Sequence, residues 1–179
     1  MKLNIAGIQN DSIVDGPGIR YAIFVQGCPH HCEGCHNPKT WEFGTGRDVT
    51  LDEIMEKIKE DPLLDGVTYS GGEPFTQCHA LCELTDRIRR ECPKLTVMSY
   101  TGYTIEQLIK QSTPENGFME LLGRLDYLVD GPFVLSLKSY ELKFKGSSNQ
   151  RFLDVTKTLA EGRPIPYHDD WENIEIKLV

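Results

Sequence analysis

The chain has 179 residues, 39% hydrophobic and 26% charged, and its 19 Lys and Arg against 27 Asp and Glu leave a formal charge of −8 at pH 7. A single domain over 1–179 with a real core is expected, and the acidic balance argues against a broad phosphate-neutralising surface, so no nucleic-acid partner is expected. No run approaches the roughly 20 apolar residues of a membrane span, and Met1 to Gly7 lacks the apolar core of a secretory signal, which predicts a cytoplasmic protein with no membrane association.

Lys2 to Ile8 and Tyr21 to Val25 carry β-branched and aromatic residues around the turn-rich Asp15-Gly16-Pro17-Gly18, and read as strand, loop and strand. Thr50 to Glu53 matches a capping box, and Leu51, Ile54 and Ile58 continue at helical spacing to a stop at Asp61-Pro62. Gly66 to Tyr69 reads as a buried strand running into Ser70-Gly71-Gly72-Glu73-Pro74, followed by a helix marked by Leu81, Leu84 and Ile88 and closed by Pro93. Leu95 to Tyr100 gives the next strand, and Thr104 to Gln107 a second capping box opening a helix through Ile109. Thr113-Pro114 has the order of a helix start, with Phe118, Leu121 and Leu122 as an apolar stripe ending near Gly123. Tyr127 to Asp130 is a further strand, Phe152 to Val155 another, and Gly162 to Pro166 a rigid bend. Lys138, Lys143 and Lys145 with Tyr140 and Phe144 read as a solvated charged strand.

Strands alternating with helices imply an α/β architecture, its mostly parallel sheet joined by right-handed crossovers. At about 30 residues per βαβ unit the chain holds about six repeats, not the eight of a closed barrel. The expected fold is therefore a partial, open (β/α)6-type barrel.

Six cysteines in a reducing compartment read as ligands, catalysts or core residues rather than a disulfide framework. Cys28, Cys32 and Cys35 crowd into Gly27-Cys28-Pro29-His30-His31-Cys32-Glu33-Gly34-Cys35-His36-Asn37. Two chemistries suit the spacing: a structural zinc site completed by His30, His31 or His36, or an iron–sulfur cluster. A four-iron cluster normally has a thiolate on each iron. Three thiolates leave one iron open to a small molecule, as a catalytic metal keeps one position free of protein. Cys78 and Cys82, four apart on one helix face, and Cys92 read as buried small hydrophobes.

The Cys28-x3-Cys32-x2-Cys35 triad, joined to Ser70-Gly71-Gly72-Glu73-Pro74 after a later strand, resembles the radical S-adenosylmethionine superfamily. Asn10 to Arg20, Cys35-His36-Asn37 with Thr40-Trp41, Asp130-Gly131-Pro132-Phe133 and Gly146 to Arg151 resemble its glycyl-radical activases. The resemblance implies a [4Fe-4S] cluster on Cys28, Cys32 and Cys35, with S-adenosyl-L-methionine chelated at the fourth iron. It places Gly34, Cys35, His36, Ser70, Gly71, Gly72, Glu73, Pro74, Tyr100, Thr101 and Asp130 around that cofactor, with Gly102 beside them. Glycines there let the main chain approach the methionyl amine. It further implies that an electron from a low-potential donor such as flavodoxin breaks the sulfonium C–S bond, giving methionine and a 5′-deoxyadenosyl radical that takes a hydrogen atom. The implied partner is the large subunit of an anaerobic ribonucleoside-triphosphate reductase, on which a glycyl radical is installed. Gly34 departs from the aromatic residue many members carry there, and Pro132 from a lysine in activases of pyruvate formate-lyase. Pyruvate formate-lyase activase, 7-carboxy-7-deazaguanine synthase and a non-catalytic Cys3His zinc module stay open as readings.

Overall fold

The computed structural model describes residues 1–168. Its strands are β1 (Lys2–Ser12), β2 (Arg20–Val25), β3 (Arg47–Thr50), β4 (Gly66–Gly71), β5 (Thr96–Tyr100), β6 (Tyr127–Asp130) and β7 (Arg151–Asp154). The helices are α1 (Leu51–Glu60), α2 (Cys78–Glu91), α3 (Ile105–Gln111), α4 (Phe118–Leu122) and α5 (Val155–Glu161). All seven strands form one sheet in the order β3-β1-β2-β4-β5-β6-β7. The central β2, β4, β5 and β6 run parallel, while β1 is antiparallel to β2 and β3, and β7 to β6. The fold is thus mixed α/β around an open sheet whose outermost strands, β3 and β7, do not meet.

Period-two alternation gives the sheet two different faces. Tyr21, Ile23, Val67, Tyr69, Val97 and Leu128 join Ile54, Ile58, Leu81, Leu84, Leu108 and Leu121 from the helices in one buried cluster. Phe24, Ser70 and Tyr100, from the intervening register, line a cavity instead. The helices form where the sequence caps them: the Thr50 side chain accepts from the Glu53 N–H while Glu53 reaches back, and Thr104 and Gln107 repeat the device. Cys78 and Cys82 are buried in the helix-side cluster, and burial pushes the Cys82 thiol up to about 11; they are small core residues.

The other face begins with Arg20, fully buried. All five of its donor positions are used, on Thr68 Oγ1 (2.6 Å), Val67 O (2.8 Å), Pro17 O (3.0 Å), Thr96 Oγ1 (3.0 Å) and Thr96 O (3.1 Å). Burial lowers it to about 10. One guanidinium thereby ties the loop after β1 to the starts of β4 and β5, a structural task for a residue that the sequence showed only within a longer motif.

The structure differs from expectation at five places. β1 runs on to Ser12, and β3 was not foreseen. Thr113-Pro114 opens no helix: the Asn116 side chain accepts from the Thr113 and Phe118 amides, and α4 starts after Gly117, which is left-handed at φ 65°. Val155 begins α5 rather than ending a strand, because the Asp154 side chain caps that helix by accepting from the Lys157 N–H. The lysine-bearing segment is a loop with one 3₁₀ turn, Leu135–Leu137, rather than a strand.

Candidate active site

The loops that leave β2, β4, β5 and β6 surround a cavity of about 550 Å³, at the strand ends where parallel sheets bind ligands. The first of these loops is an excursion closed at its base. The Gly27 N–H donates to Thr40 O (2.8 Å) and the Cys28 N–H to Trp41 O (3.1 Å). Inside the base, the buried Gln26 amide donates to Lys39 O, Glu42 O and Thr45 Oγ1 at 2.7–2.9 Å. Sequence reasoning missed Gln26, since an amide that braces a loop across 13 to 19 residues leaves no local pattern.

Cys28, Cys32, Cys35 and His36 line the cavity from this loop, Ser70, Gly71 and Tyr100 from the ends of β4 and β5, and Gly72 and Thr101 from the loops that follow. The cysteines are unpaired, Cys28 buried and the other two partly exposed. Burial pushes the Cys28 thiol up, so it becomes a thiolate when a metal takes the place of its proton. Gly72 is required by close approach: a Cβ there would lie 2.3 Å from Gly27 O. The absence of a side chain at Gly72 lets the second loop dock on the main chain of the first. The Gly72 N–H donates to Val25 O and the Glu73 N–H to Gly27 O, both at 2.8 Å.

Gly34, Glu73, Pro74 and Asp130 lie outside the cavity lining. Gly34 is left-handed (φ +72°), and Leu135 fills the space its side chain would take, with a contact of 2.7 Å to a built Cβ. Pro74 is buried at the start of a 3₁₀ turn. Glu73 is fully buried and binds within the protein. Asp130, also fully buried, accepts from the Ile105 N–H (2.7 Å), from Arg151 Nε (2.9 Å) and from Arg151 Nη2. Its neighbour Gly131 reaches the cavity instead. Asp130 is thus a brace between β6, β7 and the start of α3. The far rim is built by residues 133–150, among them Phe133, whose ring lies 5.5 Å from that of His36, and Lys138, whose Nζ stands 4.7 Å from the Tyr140 ring centre.

The model for a 4Fe-4S single cluster domain matches residues 14–153. An anaerobic ribonucleoside-triphosphate reductase-activating protein from Haemophilus influenzae is 35% identical over 146 residues, 77% of this chain and 89% of that one. The protein of that name from Escherichia coli K12 is 36% identical over 144 residues, 77% and 90% of the two chains. The chain belongs to the anaerobic ribonucleoside-triphosphate reductase-activating protein family. A more distant relative of the same name, from Enterobacteria phage T4, is 31% identical over 158 residues, 86% of this chain and 96% of that one. The crystal structure of QueE from Escherichia coli aligns at a TM-score of 0.46 with 20% identity, over 58% of this chain and 54% of that one.

The donor set of this activating-protein chain suits a [4Fe-4S] cluster. Three free thiols open onto one cavity, and a cubane takes each thiolate on a separate iron. Of the imidazoles offered as a fourth zinc ligand, His30 places Nε2 2.7 Å from Glu73 Oε2, while the His31 and His36 rings stand beside Trp41 and Phe133.

Proposed function

We propose that the chain is an activating enzyme that cleaves S-adenosyl-L-methionine at a [4Fe-4S] cluster and leaves a glycyl radical on the large subunit of an anaerobic ribonucleoside-triphosphate reductase. The observation that carries the reading is the meeting of three unpaired thiols and the Gly71-Gly72 pair on one cavity, in a chain 35% identical to relatives of that name. Cys28, Cys32 and Cys35 would hold three irons and leave the fourth without a protein thiolate, in a cavity that the glycine pair also lines. Cluster and S-adenosyl-L-methionine together supply one-electron reductive cleavage of a sulfonium C–S bond. The balance is one electron, one sulfonium and one glycine Cα–H giving methionine, 5′-deoxyadenosine and a glycyl radical. Ser70, Tyr100 and Thr101 line the cavity with the glycine pair, and Phe24, Trp41 and Phe133 add apolar surface to it, of the kind that limits water beside a reactive radical.

A flavodoxin-like protein is the proposed electron donor, on the ground that sulfonium reduction needs a potential at the low end of the iron–sulfur range. The cytoplasm is the proposed location; among the described residues no helix is long and apolar enough to cross a membrane. One continuous sheet and one buried cluster support a single domain over 1–179, of which 169–179 lie outside the described residues. The unpaired outer strands support an open, partial (β/α)6-type barrel.

The test is an oxygen-free mixture of the reduced, reconstituted chain, S-adenosyl-L-methionine and an anaerobic ribonucleotide reductase. A glycyl electron-spin resonance doublet on the reductase with matching 5′-deoxyadenosine is expected. 5′-Deoxyadenosine without that doublet, or a doublet only when pyruvate formate-lyase replaces the reductase, would overturn the assignment of partner.

A further inference from the structure

The cluster loop and the glycine pair belong to loops from different strands, so something must hold the two in register. His30, between the first two cysteines, places Nε2 2.7 Å from Glu73 Oε2. The same oxygen accepts from the Thr101 hydroxyl (3.1 Å) and the Gly102 N–H (2.8 Å), while Oε1 accepts from the Phe75 N–H (3.0 Å). Of this pair the imidazole Nε2–H is the group that donates to a carboxylate. Through its main chain Glu73 also donates to Gly27 O. One fully buried carboxylate therefore joins the loops after β2, β4 and β5, and His30 is the cluster-loop side chain that reaches it.

The ring's place is shaped from two further sides. It stands edge-on to Tyr103, centroids 4.5 Å apart at 74°. At Gly102 a Cβ would lie 2.4 Å from the imidazole Cδ2, so the absence of a side chain there makes room for the ring. Only 17% of the His30 side chain is exposed.

We propose that His30 is a positioning residue that, through Glu73, sets the distance between the cluster loop and the Gly71-Gly72 and Thr101-Gly102 segments that receive S-adenosyl-L-methionine. The identity of that ligand rests on the function proposed above; the tie itself does not. A displacement of about 1 Å between reacting groups is enough to cost a large factor in rate, so a hydrogen bond across the loops acts on the ligand without touching it.

Two substitutions separate the hydrogen bond from mere packing. His30→Gln keeps an N–H donor and loses the ring; His30→Phe keeps the ring and loses the donor. Loss of a charge-assisted hydrogen bond corresponds to about tenfold or more in an equilibrium. The Phe variant should keep its iron, raise KM for S-adenosyl-L-methionine about tenfold with a smaller change in kcat, and blunt the change in the reduced-cluster resonance spectrum when the ligand is added. The Gln variant should stay near the parent.

Hydrogen exchange in the full chain, with and without reconstituted cluster, should show faster exchange at the Phe75 and Gly102 amides in the Phe variant and not in the Gln variant. Gly102→Ala, which pushes the ring away from the opposite side, should speed exchange at Phe75 as the Phe variant does. The proposal is overturned if the Phe variant matches the parent in KM and exchange, or if Phe rescues and Gln does not. If the parent itself binds no S-adenosyl-L-methionine, the function reading fails and the exchange comparison alone decides whether the tie exists.

Discussion

Replacing Arg151 by Leu probes the brace beneath the site. Asp130 is fully buried, and two of its three donors come from Arg151, the third being the Ile105 N–H. Arg151→Leu therefore strands a buried carboxylate with one hydrogen bond. Charge-assisted hydrogen bonds contribute about 1.5–3 kcal/mol each, and breaking a buried ion pair from one side costs about 3–5 kcal/mol. The Arg151 side chain is 36% exposed, so water replaces part of what it gives, and the lower end, about 3 kcal/mol, is expected. Arg151 also pairs with Glu106 at 2.7 and 3.0 Å, but the Glu106 side chain is 56% exposed, so Glu106→Gln should cost less than about 1 kcal/mol.

For a chain of this size 3 kcal/mol corresponds to about 6–12 °C in Tm. Urea denaturation followed by far-UV circular dichroism measures the difference directly. Asp130→Asn combined with Arg151→Leu should recover part of the loss, since no buried charge is then left alone. An Arg151→Leu protein no less stable than Glu106→Gln, or a double variant as unstable as the sum of its parts, would refute the reasoning.

Other outcomes follow from the same structure. The hydrogen bond from Arg151 holds the Glu106 carboxyl down at about 2, against an ordinary 4.5. A depressed folded-state value means stability that is full above 4.5 and lost as pH falls toward 2. The gap between the parent and Glu106→Gln in urea midpoints should therefore be flat near neutrality and close in that window; a gap that persists at pH 2 contradicts the pairing. Gly72→Ala forces a Cβ to within 2.3 Å of Gly27 O and should cost about 1–3 kcal/mol, read as a lowered Tm; an unchanged Tm would mean that the two loops are not docked. Cys28→Ala, Cys32→Ala and Cys35→Ala should each lose bound iron, whereas Cys78→Ala, in the helix-side core, should keep it. Metal analysis after anaerobic reconstitution decides, and iron retained by a Cys32→Ala protein would exclude the ligand set.

The strand and helix rhythm from Gly66 to Asp130 is legible in the sequence because apolar spacing and capping residues agree there, except at Thr113-Pro114, where the Asn116 side chain makes a turn in place of a helix start. The Thr50 and Thr104 capping boxes form as their sequences require. β3 was not legible: Arg47, Asp48, Val49 and Thr50 form an edge strand that joins the sheet by main-chain pairing to β1, and of its four side chains only Val49 is buried. α5 was hidden for a related reason, since its buried residues are Val155 and Thr158. At the site, the cysteine triad and the glycine pair announce themselves as motifs. The roles of Glu73, Asp130 and Arg20 do not, because each is defined by partners 21 to 76 residues away that only the fold assembles.

The account rests on one iron left without a protein ligand. Electron-spin resonance of the reduced protein, recorded before and after S-adenosyl-L-methionine is added and paired with iron and zinc analysis, tests this most directly. About four irons per chain and a spectrum that shifts on addition are expected. Stoichiometric zinc, or a cluster spectrum indifferent to S-adenosyl-L-methionine, would contradict it.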